Sequence, residues 1–431
     1  MKIHQLKLVQ RKLCAFVDIF RPIFGRSERG HWCGMYLSGL MVDGERKSVS
    51  AIASRLVGGN EQALQQFVNQ SPWPHEEVQE RLVDWISEKF SIRKGVLILD
   101  DTTLPKKGKK SVGVAHQYSG RSGGIASCQS IVSWHLASGG QHFPLMAELF
   151  LPDTWIQDPQ SLDQACVPEG KRKKRKKWEI ALELLDRLKK KNLPYKILTM
   201  DAGYGISKEF LGKLDERGEK YIAQIPSNQS VWPADVQVFR SVTAGKLWKY
   251  DHLKNPAEKP LRIDSLAHKI PAKKWKTVRL QTRERRQVKV YAVRVREVQI
   301  RYYYPGREMW LLIEKEQDGN LKYYVSNMPE RTSPNKMIQA AHARWNIEQG
   351  YQQLKEELGL DHFEGRSWPG LHHHITLTFM AHVFLSSLQV RSQKKMFSLD
   401  SFDSKNHQPS FTTPSLSRMP SLDSLSRSDF L

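Results

Sequence analysis

Two short apolar runs, each ending in aspartate, constrain this chain more than any other feature. Val96-Leu97-Ile98-Leu99 leads into Asp100-Asp101-Thr102-Thr103, and Ile197-Leu198-Thr199-Met200 leads into Asp201. A continuous aliphatic run of this length predicts a strand buried on both faces whose polar end opens at a sheet edge. Between the two, residues 125–136 and 141–151 flank Ala137-Ser138-Gly139-Gly140, a hairpin signal, and residues 178–191 place Ile180, Leu184, Leu185 and Leu188 at helical spacing. After Asp201 come a helix near 208–216 and a strand at 221–225. Strand, hairpin, helix, strand, helix, strand predicts an α/β fold.

The flanks have a different texture. Residues 1–90 read as short helices, with apolar spacing at 27–45, 49–56, 61–68 and 75–90, an arrangement that suits DNA binding and dimerisation equally well. Residues 91–227 hold the first part of the α/β core. Residues 228–330 turn to alternating patterns, as in Gln287-Val288-Lys289-Val290-Tyr291, and predict a β-rich insertion. Residues 331–391 are helical again, with 333–358 as one helix and 372–389 as a second. Residues 392–431 are serine-rich, lack periodicity and are expected to be disordered.

Lys and Arg number 67 against 45 Asp and Glu, a net charge of +22. Such an excess repels itself unless a polyanion neutralises it, so nucleic acid is the expected partner. With 39% hydrophobic residues the chain is not wholly disordered. No apolar run approaches the ~20 residues that span a bilayer, and the first residues lack a signal-peptide pattern. A cytoplasmic location without a membrane partner is expected. The four cysteines, Cys14, Cys33, Cys128 and Cys166, have no metal-ligand spacing and read as reduced thiols.

Two aspartates on neighbouring parallel strands would lie side by side, and Glu348 is the best third acid. Three carboxylates suit a pair of Mg²⁺ ions, which prefer oxygen ligands and catalyse in-line displacement at phosphorus. Each Asp alone reads more readily as a turn or helix-cap residue than as a catalytic one. Around Glu348, at about 100° per residue, Arg344, Glu348 and Lys355 fall in one narrow sector of a helix. A salt-bridged exposed face accounts for that pattern equally well. Of the basic segments, Lys106-Lys107-Gly108-Lys109-Lys110 follows the first Asp strand and is placed to grip phosphate, whereas residues 171–177 suit DNA contact or a solvated helix start. His372-His373-His374 reads as structural or phosphate-facing, and Trp310, Tyr323 and Tyr324 as core more than base-stacking residues.

These blocks resemble bacterial insertion-sequence transposases of the DDE superfamily. The likeness lies in Asp100-Asp101-Thr102-Thr103, in Asp201 after its apolar strand, and in Arg344-Trp345-Asn346-Ile347-Glu348 with Lys355, similar to the branch with a Tyr-x2-Arg-x3-Glu-x6-Lys signature. Phe20-Arg21-Pro22-Ile23-Phe24-Gly25-Arg26, Gly44-Glu45-Arg46-Lys47, Lys106-Lys107-Gly108 and residues 359–367 belong to the same resemblance, which covers roughly 15–390. It implies an RNase H-like catalytic core with a β-rich insertion, preceded by the N-terminal helical DNA-binding domain. It implies Asp101, Asp201 and Glu348 as metal-binding catalytic residues, with Asp101 preferred over Asp100 because it directly precedes the Thr pair. By the same resemblance Arg344 and Lys355 contact DNA, joined by Lys106, Lys107, Lys109 and Lys110. Two Mg²⁺ ions, replaceable by Mn²⁺, would serve cleavage of transposon inverted-repeat ends and their joining to target double-stranded DNA, in a nucleoid-associated synaptic complex that is at least a dimer. The signature tyrosine is replaced by Ala341, and Tyr351 is the candidate substitute. An inactive DNA-binding protein and an RNase H-like nuclease without strand transfer are the alternatives.

Overall fold

The computed structural model describes residues 3–400 other than 93, 120–122, 241, 244–245, 248–250, 281–285 and 300–303. The chain divides into two compact units. Unit 1 comprises residues up to 95, 100–195 and 346 onward; unit 2 comprises 96–99 and 196–345.

Unit 1 begins with α1 (Ile3–Asp18), α2 (Arg21–Phe24), α3 (Ser27–Met41), α4 (Val49–Arg55), α5 (Glu61–Asn69) and α6 (His75–Lys89). Periodicity located the last four to within a few residues, because each buries one apolar stripe; in α6 it is Val78, Leu82, Val83, Trp85 and Ile86. β1 (Gly95–Pro105), β2 (Ala115–Ser119), β3 (Gly124–Ser138) and β4 (Gln141–Phe150) follow. The long β3 pairs with β1, β2 and β4, antiparallel to the last two. Gly139 and Gly140 turn the β3–β4 hairpin at φ +59° and +77°, backbone that glycine adopts without a Cβ penalty. Two short helices, α7 (Asp153–Ile156) and α8 (Pro159–Gln164), lead to α9 (Lys177–Lys189).

Unit 1 closes with α14 (Trp345–Glu356, in this unit from Asn346) and α15 (Trp368–Asp400). α15 packs against β4, α3, α5 and α6, so the N-terminal helices share their core with the end of the chain. It carries no charged residue from Trp368 to Val390, which suits a helix covered on all sides. It also runs on through 392–400, where a disordered tail was expected; no Gly or Pro interrupts that stretch, and only 401–431 of the expected tail lies outside the described residues. No helix among the described residues is long and apolar enough to cross a membrane.

Unit 2 starts from Val96–Leu99 of β1 beside β5 (Tyr195–Met200). α10 (Ala202–Gly205), α11 (Lys208–Glu216) and β6 (Tyr221–Ile225) follow, with β5 and β6 parallel in the register Leu198↔Tyr221. Beyond β6 lie β7 (Ser230–Pro233), the small ribbons β8 (Val238–Phe239) with β11 (His252–Leu253) and β9 (Val242–Thr243) with β10 (Lys246–Leu247), then β12 (Leu261–Arg262), α12 (Ile263–His268) and β13 (Lys276–Arg279). β14 (Gln287–Val298), β15 (Pro305–Lys315) and β16 (Leu321–Ser326) form an antiparallel meander, and β16 pairs with β6. The β-rich stretch therefore extends the β5–β6 sheet. α13 (Pro334–His342) packs its Met337, Ile338, Ala340 and Ala341 onto that sheet.

Two local expectations are corrected. β1 does not end at its aspartates; it continues through Asp100 to Pro105, because Thr102, Thr103 and Leu104 are buried in unit 1 as Leu97 to Leu99 are in unit 2. The single helix expected over 333–358 is broken at Ala343-Arg344, where the Ala343 and Arg344 amides donate to Ala340 and Ala341 in tight i→i−3 bonds. Arg344 therefore lies in unit 2, outside the helix that carries Glu348 and Lys355, and the shared angular sector holds only for the last two.

Candidate active site

Asp100 and Asp101 are consecutive in a strand, so their side chains leave opposite faces. Asp101 Oδ2 accepts from Ser130 Oγ on β3 at 3.1 Å and pairs with Lys177 Nζ, at the first position of α9, at 2.5 Å. α14 is fastened to the same strand by two side chains. Lys355 Nζ donates to the Thr103 carbonyl at 3.0 Å, and the Tyr351 hydroxyl lies 3.5 Å from the Asp100 carbonyl. The glutamate helix is thus tied to β1 one residue before and two residues after Asp101. Glu348 itself is exposed, one turn before Tyr351.

Tyr351 ends a buried relay. Its hydroxyl meets Ser133 Oγ at 2.6 Å, Ser133 meets His135 Nε2 at 2.7 Å, and His135 Nδ1 meets His142 Nε2 at 2.7 Å. One proton assignment satisfies every link: His142 donates to His135, His135 to Ser133, Ser133 to Tyr351, and Tyr351 to the Asp100 carbonyl. Burial, then the charge of Asp100, raises the Tyr351 pKa well above the usual phenol value, and burial pushes both histidines well below theirs, so every group is neutral. Gly350 admits the His142 ring; a Cβ there would lie 1.9 Å from His142 Cε1. Tyr351 points inward and does not stand in for the missing signature tyrosine at a phosphate. Tyr351→Phe keeps the ring but leaves the Ser133 donor unmatched, and should cost about 1–3 kcal/mol in a urea midpoint comparison.

Asp201 lies in unit 2, directly after β5, and its Oδ1 caps the short helix α10 by accepting from the Tyr204 amide at 3.1 Å. Lys107, Lys109 and Lys110 are exposed on the loop after β1, as a phosphate-gripping segment requires. Lys106 is not part of that exposed set. It turns inward to the Phe363 carbonyl, and burial lowers its pKa to about 8. Around it the other motif blocks meet: Arg46 pairs with Glu364 at 2.7 Å, the Lys47 amide donates to His362 Nδ1 at 3.1 Å, and the Val112 amide donates to the Arg366 carbonyl at 3.1 Å. These blocks contact one another as structure.

Five residues of the basic run, 171–175, are paired with carboxylates, with Arg175 buried and Lys173 and Lys174 still exposed. Lys171 pairs with Glu148 at 2.5 Å, Arg172 with Asp163 at 2.6 Å, Lys173 with Glu183 at 3.7 Å, Lys174 with Asp153, and Arg175 with Glu148 at 2.5 Å and Glu183 at 2.7 Å. Burial would raise the Glu148 carboxyl, but Lys171 and Arg175 hold it below its usual value. Arg175→Met strips a buried carboxylate of one partner and should cost about 3 kcal/mol, read as a lower urea midpoint. Sequence reasoning missed Lys177 and Ser130, because nothing in spacing links them to Asp101. Tyr323 and Tyr324 are buried, the latter bonded to Glu314, so neither is a base platform. His372, His373 and His374 are all buried and bonded to the protein, which decides their reading as structural.

The family described as DDE superfamily endonuclease matches residues 19–287, more than half of the chain. The chain belongs to the DDE superfamily of endonucleases. The matched stretch of this DDE endonuclease includes Asp101, Lys177 and Asp201 and stops before Glu348. The chain is also 31% identical, over 194 residues, to a probable transposase for insertion sequence element IS701 of Microchaete diplosiphon; the match takes in 45% of this chain and 48% of that one, so the chain spans about half the length of this curated relative. In shape it is similar to a cryo-EM structure of the piggyBac transposase synaptic complex with hairpin DNA, at a TM-score of 0.43 and 10% identity, covering 86% of this chain and 68% of that one. A likeness that distant fixes nothing further.

The superfamily implies a divalent metal ion. Among the described residues no three His, Cys, Asp or Glu side chains form a ready metal-holding group. The donor chemistry at Asp101 nonetheless fits a hard cation, because its half-buried carboxylate oxygen already holds a positive charge beside a hydroxyl donor.

Proposed function

We propose that this DDE endonuclease is a DNA transposase that cuts transposon ends and joins them to target DNA. The observation that carries the reading is the fastening of α14 to β1 on both sides of Asp101 by Tyr351 and Lys355, within unit 1. That fastening supports Asp101 and Glu348 as two members of a carboxylate set, with Asp201 at the end of β5 as the third. These three would hold two Mg²⁺ ions, or Mn²⁺ in their place. Bound there, the metal supplies Lewis acidity for in-line attack of an oxygen nucleophile on a phosphodiester, in hydrolysis and in strand transfer alike.

The chain's own residues bind and orient. Lys107, Lys109 and Lys110 meet backbone phosphates next to the cut, and Arg344 contacts the transposon end. Lys355 holds the β1 backbone and thereby the position of its aspartates. The N-terminal helices 1–90 recognise the inverted repeats, and the complex that pairs two ends is at least a dimer. The IS701 relative, named a probable transposase, supports joining over simple hydrolysis.

Labelled DNA carrying the inverted repeats that flank the gene, incubated with the full chain and Mg²⁺, tests the reading. Joined products are expected. Cut but unjoined DNA would make the chain a nuclease only, and a shifted band without cleavage would make it a DNA-binding protein.

A further inference from the structure

Lys177 is out of place by local rules. It is the first residue of α9 and follows Lys176 at the cap position. A helix N-terminus carries partial positive charge that disfavours cations there. The preceding residues are anchored, because Lys171, Arg172, Lys173, Lys174 and Arg175 are all paired with Glu148, Asp153, Asp163 or Glu183. Lys177 alone of these reaches a carboxylate on β1. Its ammonium sits over the Phe150 ring, with Nζ 5.7 Å from the centroid, and meets the Asp101 oxygen that also accepts from Ser130. The segment is an anchored arm that delivers one positive charge to Asp101.

We propose that Lys177 is the resident counter-ion of Asp101, occupying the cation position on Oδ2 until a divalent metal displaces it. The inference rests on the reading of Asp101 as a metal ligand. Lysine suits the task. Its ammonium is a compact, strongly hydrated point charge that binds through one atom, so it exchanges readily, whereas arginine would grip the carboxylate with two donors. With Lys177 in place the half-buried Asp101 is a paired ion in the metal-free enzyme. Metal entry is then an exchange of one cation for another, and the displaced ammonium is released beside the cut.

Mn²⁺ binding to the full chain, followed by the electron paramagnetic resonance of free Mn²⁺, tests this apart from activity. Lys177→Met keeps the stem and removes the competitor, so Mn²⁺ should bind about 10-fold more tightly than to the wild type, the size expected for removing one adjacent like charge. Lys177→Gln should do the same if the Met variant does not fold. In the wild type, saturating Mn²⁺ should speed acylation of Lys177 by an amine-reactive ester, read by peptide mass spectrometry. Unchanged or weaker Mn²⁺ binding in the Lys177 variants, or unchanged acylation of the wild type, overturns the proposal while Asp101 stands as a ligand. If Asp101→Asn leaves Mn²⁺ binding intact, the ligand reading itself fails and takes this proposal with it.

Discussion

Glu348→Gln should lower Mg²⁺-dependent cleavage by roughly 10³-fold or more, with folding and end binding expected to survive. The substitution keeps the size and hydrogen bonding of the side chain and removes the negative charge that offsets a metal ion. Asp101→Asn and Asp201→Asn should behave alike, and any pair should cost little more than one, as for residues that act as a unit. Single-turnover cleavage of an end-labelled duplex, with gel-shift and circular dichroism controls, measures this. Asp100→Asn is the decisive companion. Asp100 and Asp101 leave opposite faces of β1; Asp101 faces Ser130 and Lys177, whereas Asp100 is the nearer negative charge to Tyr351. A dead Asp100→Asn beside an active Asp101→Asn would make Asp100 the first ligand. Full cleavage by all four variants would sink the catalytic reading of these acids.

Unit 1 should unfold on mild acidification, between about pH 6.5 and pH 4. His372, His374 and His382 are wholly buried, and burial lowers each pKa from 6.5 to about 4. The neutral rings are matched to their sites. His372 donates from Nδ1 to the Trp368 carbonyl and accepts the Leu149 amide on Nε2; His374 donates from Nε2 to the Gly359 carbonyl and accepts the Tyr36 hydroxyl on Nδ1. Protonation would put a donor against the Leu149 amide at His372 and would force the Tyr36 hydroxyl to turn and accept at His374. His373 differs, because its two nitrogens face two carbonyls, Val68 and Trp73, which favour the charged ring and oppose the effect of burial. The sign follows from linkage. The unfolded chain binds protons below about pH 6.5 and the folded chain does not until about pH 4, so stability is complete above the first value and is lost on descent toward the second. Each such histidine contributes roughly 3 kcal/mol, and three together rival the whole stability of a typical domain, about 5–15 kcal/mol. Thermal melts followed by tryptophan fluorescence should show a steep fall in Tm from pH 7 to pH 5. An unchanged Tm over that range refutes the assignment of neutral buried rings.

Much of the fold was legible in the sequence. The periodicity of α3 to α6 and of α9, the aliphatic runs of β5 and β6, and the glycine pair of the β3–β4 turn each report a local property: which side of an element is apolar, or where the backbone needs a positive φ. The family motifs around Asp101, Asp201 and Glu348 were equally readable. Only the tertiary structure decided the rest. It carried β1 past its aspartates, because the burial of Thr102 to Leu104 depends on β3. It broke the helix at Ala343-Arg344, where the chain passes between its two units and no Gly or Pro marks the place. It paired Lys177 with Asp101, took Lys106 and Tyr351 inward, and spent the basic run 171–175 on carboxylates. Periodicity says which side of an element avoids water, but a polar side chain's partner is chosen by whatever the fold brings within about 3 Å, and for Asp101 that partner is 76 residues away along the chain.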